Sequence, residues 1–110
     1  MNITRFEDAR PYEAKAHYKM SALRLQGLEA SDLASFSCSL SHFLPGGGAE
    51  YAASPNEKVY VVLSGQITVS TDGGEHVLGP LDSCAIGVNE ARAIENRGNQ
   101  IATILVVVSN

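Results

Sequence analysis

From Phe36 to His42 apolar residues and serines alternate, with Phe36, Cys38, Leu40 and His42 on one parity and Ser37, Ser39 and Ser41 on the other. Period two is the signature of a half-buried strand. Taking the apolar parity as the inner face places His42 inside with its neighbours. The run Leu44-Pro45-Gly46-Gly47-Gly48 then predicts a turn. Lys58–Leu63 and Gln66–Thr71 are β-rich, and they end at Ser64-Gly65 and at Asp72-Gly73-Gly74, the latter a hairpin signal. Short strands follow at Glu75–Leu78, Ser83–Ile86 and Ala91–Glu95, punctuated by Gly79-Pro80, Gly87-Val88-Asn89 and Asn96–Asn99. Ile101–Val108 is apolar on both parities, which predicts a strand covered on both faces, central or at a subunit interface. Helical signal is weak. Tyr12–Gln26 lies between Pro11 and Gly27, and its second half, Met20–Leu25, suits a strand as well as a helix. Many short strands between Gly, Pro and Asn turns predict an all-β sandwich or barrel over residues 34–110, preceded by an N-terminal arm over residues 1–33.

Length and charge narrow the function. A chain of 110 residues fits one domain. A net charge of −4 argues against nucleic acid, whose binders carry a basic patch. Cys38 and Cys84 form neither a disulfide framework nor a zinc motif. The N-terminus lacks an apolar segment after basic residues, and no run approaches the ~20 residues of a membrane span. The expectation is a soluble cytoplasmic protein that contacts neither nucleic acid nor membrane. The cations are unevenly placed. Arg5, Arg10, Lys15, Lys19 and Arg24 lie in the arm, whereas the rest of the chain holds only Lys58, Arg92 and Arg97.

The order of strands and turns resembles the cupin family of small β-barrels, through two spaced motifs. The first has the form G-x5-H-x-H-x3-4-E-x6-G. Gly46 opens it and Gly65 closes it, which places Ala52 and Ser54 at the histidine positions and Lys58 at the glutamate position. The second has the form G-x5-P-x-G-x2-H-x3-N. Counting back from Asn96, Arg92 stands at its histidine, Asn89 at its inner glycine, Gly87 at its proline and Leu81 at its first glycine. The resemblance covers about residues 36–108. It implies a cupin-like double-stranded β-helix barrel of jelly-roll type. It also implies a homodimer, with the N-terminal arm able to supply a swapped strand. Members of the family usually hold a divalent metal on the histidines and the glutamate. Alanine, serine, lysine and arginine stand at those four places here, so the resemblance implies no metal and no cofactor.

The replacements suggest another ligand. Lys58 and Arg92 map onto inward-facing metal positions, and Lys58, Tyr60 and Val62 share one face of their strand by period two. Buried cations are costly unless paired. A carboxylate-type anion in the cavity would pair them, Arg92 as a bidentate fork and Lys58 as a point charge. Pairing with Glu50, Glu57 or Glu90 is the alternative. Ser54, Tyr60 and His42 complete the candidate ligand set. The leading expectation is therefore a metal-independent protein that binds a small anionic molecule. The rival expectation is a metal-free isomerase, epimerase or lyase acting on a small carboxylate or sugar-like substrate. There His42 or Tyr60 moves a proton while Lys58 and Arg92 stabilise the developing charge. His17 and His76 read as surface or strand-end residues.

Overall fold

A computed structural model describes all 110 residues. Nine strands follow a short 3-10 turn at Phe6–Asp8: β1 (Arg10–Tyr12), β2 (His17–Gln26), β3 (Phe36–Ala52), β4 (Lys58–Ser64), β5 (Ile67–Thr71), β6 (Gly74–Leu78), β7 (Ser83–Ile86), β8 (Arg92–Glu95) and β9 (Ala102–Ser109). All pairings are antiparallel. The order β6-β5-β8-β3-β9-β4-β7 wraps into a barrel, with β2 running along the other edge of β3 and β1 beyond it. The chain is therefore all-β, as its turn spacing predicts. No helix is long and apolar enough to cross a membrane.

The seventeen residues of β3 organise the barrel. Its first half, Phe36–Phe43, pairs with β9, and its second half, Gly48–Ala52, pairs with β8. One strand thus passes from one sheet to the other. The expected turn at Leu44–Gly48 is corrected to a bend within this continuous strand. Gly46 takes a left-handed φ of 82°, and Gly47 and Gly48 serve close approach rather than chain reversal. A Cβ on Gly47 would lie 2.2 Å from the Lys19 carbonyl oxygen, and one on Gly48 would lie 2.0 Å from that of Ile94. Only glycine lets the backbone of β3 squeeze between β2 and β8 at this corner.

Asn96 pins the same corner. Its backbone N–H donates to the Gly47 carbonyl and its own carbonyl accepts from Gly46 N, both at 2.8 Å. Its side-chain Nδ2 donates to the Phe43 and Gln100 carbonyls at 2.9 and 2.8 Å, and Oδ1 accepts from Gly98 N at 3.0 Å. This buried amide satisfies three backbone groups that would otherwise be orphaned.

The faces of β3 are the reverse of the expectation. Ser37, Ser39, Ser41 and Phe43 point inward, opposite Val108, Val106, Ile104 and Ala102 of β9. Phe36, Cys38, Leu40 and His42 point outward. Alternation locates two faces but cannot say which is inside, and here the outer face is the more apolar one. The interior is filled instead by Phe43 of β3 and by β-branched residues of other strands, including Val62, Ile67, Ile94 and Ile104. Tyr12–Gln26, ambiguous in sequence, is mostly the strand β2, which pairs with β3 of its own chain.

Candidate functional site

Between the two sheets a cavity of about 110 Å³ opens toward the N-terminal arm. Phe43, Ile94, Ile104 and Val106 supply an apolar wall, and Tyr12 and Ala14 of the arm reach its edge. The polar groups on it are Lys58, Tyr60, Arg92, His17 and Ser41. No aspartate or glutamate lines it.

Strand geometry assembles the cluster. Lys58, Tyr60 and Val62 alternate inward along β4, and Arg92 enters from the first position of β8, beside Ala52 of β3. Arg92 is 7% exposed, and its Nε donates to the Tyr60 hydroxyl at 2.8 Å while Nη1 donates to the Glu50 carbonyl at 3.2 Å. Lys58 Nζ donates to Ser54 Oγ at 2.6 Å. Neither cation has a carboxylate within 4.0 Å, and the ion pairs of the chain are Arg24–Glu29, Arg97–Glu75 and Arg97–Glu95. Glu50, Glu57 and Glu90 do not neutralise them. Burial, and then the Arg92 charge, lower the Lys58 pKa. Burial raises that of Tyr60, against the opposing pull of Arg92, so the phenol keeps its proton at neutral pH.

His17 is the member that sequence reasoning missed. It opens β2, pairs with Ala49 of β3, and turns into the cavity. Its Nδ1 lies 2.6 Å from the Lys15 carbonyl oxygen. Its ring stacks on Phe43 with centroids 6.3 Å apart and planes at 22°. Burial is the main cause of its lowered pKa, helped by Arg92 and Lys58 and opposed by the Lys15 bond. No motif marks this residue. It lies just ahead of Met20–Leu25, the part readable as a strand, and so reads from sequence only as a surface or strand-end residue.

The other candidates lie elsewhere. His42 is corrected from the inner to the outer face, where Nδ1 meets Thr103 Oγ1 at 3.1 Å. It cannot reach a ligand in the cavity. Ser54 touches the site only through Lys58. His76 is exposed on β6.

The scaffold keeps the backbone geometry of the second motif where its glycines have changed. Leu81 and Asn89, at the motif's glycine positions, adopt left-handed φ angles of 70° and 59°. A model of the cupin domain family matches residues 39–108. The chain is a cupin.

This cupin is 46% identical over 110 residues to a protein of Mycobacterium tuberculosis named Beta-D-galactosidase, across all of this chain and 95% of that relative. The polyketide cyclase RemF of Streptomyces resistomycificus superposes with a TM-score of 0.87 at 17% identity, covering 99% of this chain and 79% of the other. A cupin-superfamily sugar phosphate isomerase of Silicibacter pomeroyi gives 0.82 at 24% identity, covering 96% and 74%. At such identities these two structures speak for the fold alone. The donor set of this cupin does not suit the family's metal. Arg92 has no lone pair to give, Ala52 has no ligand atom, and no group of three His, Cys, Asp or Glu side chains is placed to hold an ion.

Proposed function

We propose that this cupin is a carbohydrate-active protein that takes a β-D-galactoside-type sugar into its barrel cavity and acts on it without a protein-bound metal. One observation carries the reading. In a chain 46% identical along its full length to a protein named Beta-D-galactosidase, the cavity sets an aromatic and aliphatic wall against a compact polar cluster. A sugar ring has the matching character, with C–H faces for Phe43 and hydroxyl edges for His17, Lys58, Tyr60 and Arg92. The test is release of 4-nitrophenol from 4-nitrophenyl β-D-galactopyranoside by purified, chelator-treated protein. Release that survives chelation supports the reading. Neither turnover nor binding of galactose would overturn it.

A second reading has its own support. Two cavity cations without a carboxylate partner suit a small carboxylate-type anion. A galacturonate ring combines both readings, being a galactose ring that bears a carboxylate. Thermal stabilisation by galacturonate well above that by galactose would favour the anionic ligand.

A second copy of the chain is the partner we propose. The outer face of β2, β3, β9, β4 and β7 carries no Asp, Glu, Lys or Arg along the registered row Leu23, Leu40, Leu105, Val61 and Ser83. Such a face calls for cover.

A further inference from the structure

We infer that His17 is the general base of the cavity and Tyr60 its general acid; this rests on the galactoside reading and gives it a mechanism. Hydrolysis of a glycoside ordinarily uses two carboxylates, and the cavity has none. Another pair must move the protons.

His17 is built for the first role. The Lys15 carbonyl can only accept, so the 2.6 Å contact fixes the proton on Nδ1. Nε2 then keeps its lone pair, and it has no partner within the chain. Stacking on Phe43 holds the ring plane. The backbone on either side is strained to the same end. Ala16 and Lys19 adopt left-handed φ angles of 57° and 49°, and Lys19 is the residue where the register of β2 against β3 slips. Non-glycine residues in that region carry a cost that persists where surrounding structure enforces it, often at working sites. The charged and titratable groups that share the cavity with His17 are Lys58 and Tyr60 of β4, Arg92 of β8 and Tyr12 of β1. None is a carboxylate, so apart from the Lys15 carbonyl nothing there favours an imidazolium. His42 and His76 lie outside the cavity, which leaves His17 as its only histidine.

The step balances on these groups. A water gives a proton to His17 Nε2 as its oxygen bonds to the anomeric carbon. The glycosidic C–O bond breaks, its electron pair goes to the leaving oxygen, and that oxygen takes the Tyr60 proton. Arg92 Nε, already donating to the Tyr60 oxygen, stabilises the phenolate. Solvent then carries the His17 proton back to Tyr60. One water is consumed and each product gains a hydroxyl. With a single displacement from the far side, the anomeric centre inverts.

The test uses the purified full chain, with 4-nitrophenyl and methyl β-D-galactopyranoside as substrates and isopropyl β-D-thiogalactopyranoside as a binding probe. His17→Gln should lower kcat about 100-fold or more on both substrates. Its Kd for the thiogalactoside should weaken by far less than kcat falls, since the probe loses one hydrogen-bond partner but needs no proton transfer. Imidazole should restore activity to His17→Ala. Tyr60→Phe should lose at least about tenfold more on the methyl galactoside, whose leaving group needs an acid, than on the nitrophenyl one. The first product seen by NMR should be the α-anomer. The wild-type kcat/KM should fall on an acid limb centred below 6.5, the ordinary histidine value, a readout that requires no variant to fold. A fully active His17→Gln, a β-anomer, or an acid limb centred above 6.5 would overturn the assignment while leaving the galactoside reading intact. Absence of both binding and cleavage by wild type would overturn the galactoside reading and this inference with it.

Discussion

The Arg92 guanidinium meets the Tyr60 hydroxyl at 2.8 Å in the barrel interior, with no carboxylate near either cation of the cavity. The arrangement conflicts with stability and suits binding. A buried charge without an opposite partner is held against its desolvation cost. Replacing Arg92 by methionine removes that cost and keeps most of the volume. We expect Arg92→Met to stabilise the ligand-free protein by about 1–3 kcal/mol, within the range found when buried ionic groups become apolar, and to lose sugar or anion binding. Urea denaturation with and without galacturonate checks both halves. A less stable, ligand-binding variant would mean that the folded chain already compensates the charge.

His17 should leave a mark on stability as well as on activity. Its folded pKa lies below the ordinary 6.5, chiefly through burial. Between the folded and unfolded values the unfolded chain binds more protons, so stability rises with pH there. His17 therefore contributes fully above about 6.5 and progressively less as pH falls from that value through its folded pKa. Melting temperature followed from about pH 7.5 to 5 should decline more steeply for wild type than for His17→Gln. Identical slopes would exclude the imidazole from this linkage.

The corner of β3 gives a sharper packing prediction. An alanine Cβ at position 48 would meet the Ile94 carbonyl oxygen at 2.0 Å, and both atoms belong to paired backbone. Relief requires β3 and β8 to part. Gly48→Ala should cost about 3 kcal/mol or more, the tail reserved for overpacking and backbone strain. Gly73→Ala is the control, because its nearest neighbour, Thr71 Oγ1, is 3.6 Å away. Comparable stability of the two variants would refute the close-approach account.

How much of this was legible follows from where each residue sits. Lys58, Tyr60 and Arg92 could be brought together from sequence because the motif spacings run from Gly46 to Gly65 and back from Asn96 without a gap. His17 was not legible. It lies in the arm outside both motifs, and only pairing with Ala49 carries it to the cavity. His42 was misplaced for a physical reason. The serines of β3 fit inside because β9 fills the space opposite with Ile104, Val106 and Val108, a cross-strand fact that no local pattern holds. The triple glycine was visible, but turn and close approach share one signature in sequence.

Leu81 offers a test of the scaffold. It is 78% exposed with φ of 70°, at a position where the family motif has glycine. A left-handed L-residue costs roughly 1–2 kcal/mol, and glycine's extra unfolded-state entropy returns about 0.5–1 of that. Leu81→Gly should therefore stabilise by up to about 1 kcal/mol, a rise of several degrees in Tm for a domain of this size. A loss of stability would show that the leucine side chain makes a contact worth more than the strain.

The outer sheet face decides the oligomeric state. Val61 of β4, Leu105 of β9, Leu40 of β3 and Leu23 of β2 lie side by side in register, with Val59 and Val107 in the next row. Val59, Leu63 and Phe36 on this face are 40%, 42% and 44% exposed in the single chain. Cross-strand neighbours cover Leu40 to 9%, so the patch is packed within itself but open above. The inner face of β9 is already filled by the barrel core, so its outward Leu105 and Val107 gain burial only from another molecule. A lysine at Leu105 would point into solvent in a monomer and into a dry interface in a dimer. Stability of the isolated barrel should then change little, whereas association should collapse, since a desolvated unpaired charge costs several kcal/mol. Wild type should sediment as two copies of the 11.7 kDa chain, and Leu105→Lys as one with an unchanged circular dichroism spectrum. A wild-type monomer at about 100 μM would refute the proposal, given that a stable pair buries about 800 Å² per partner and associates well below that concentration. A dimeric Leu105→Lys would move the contact to another face.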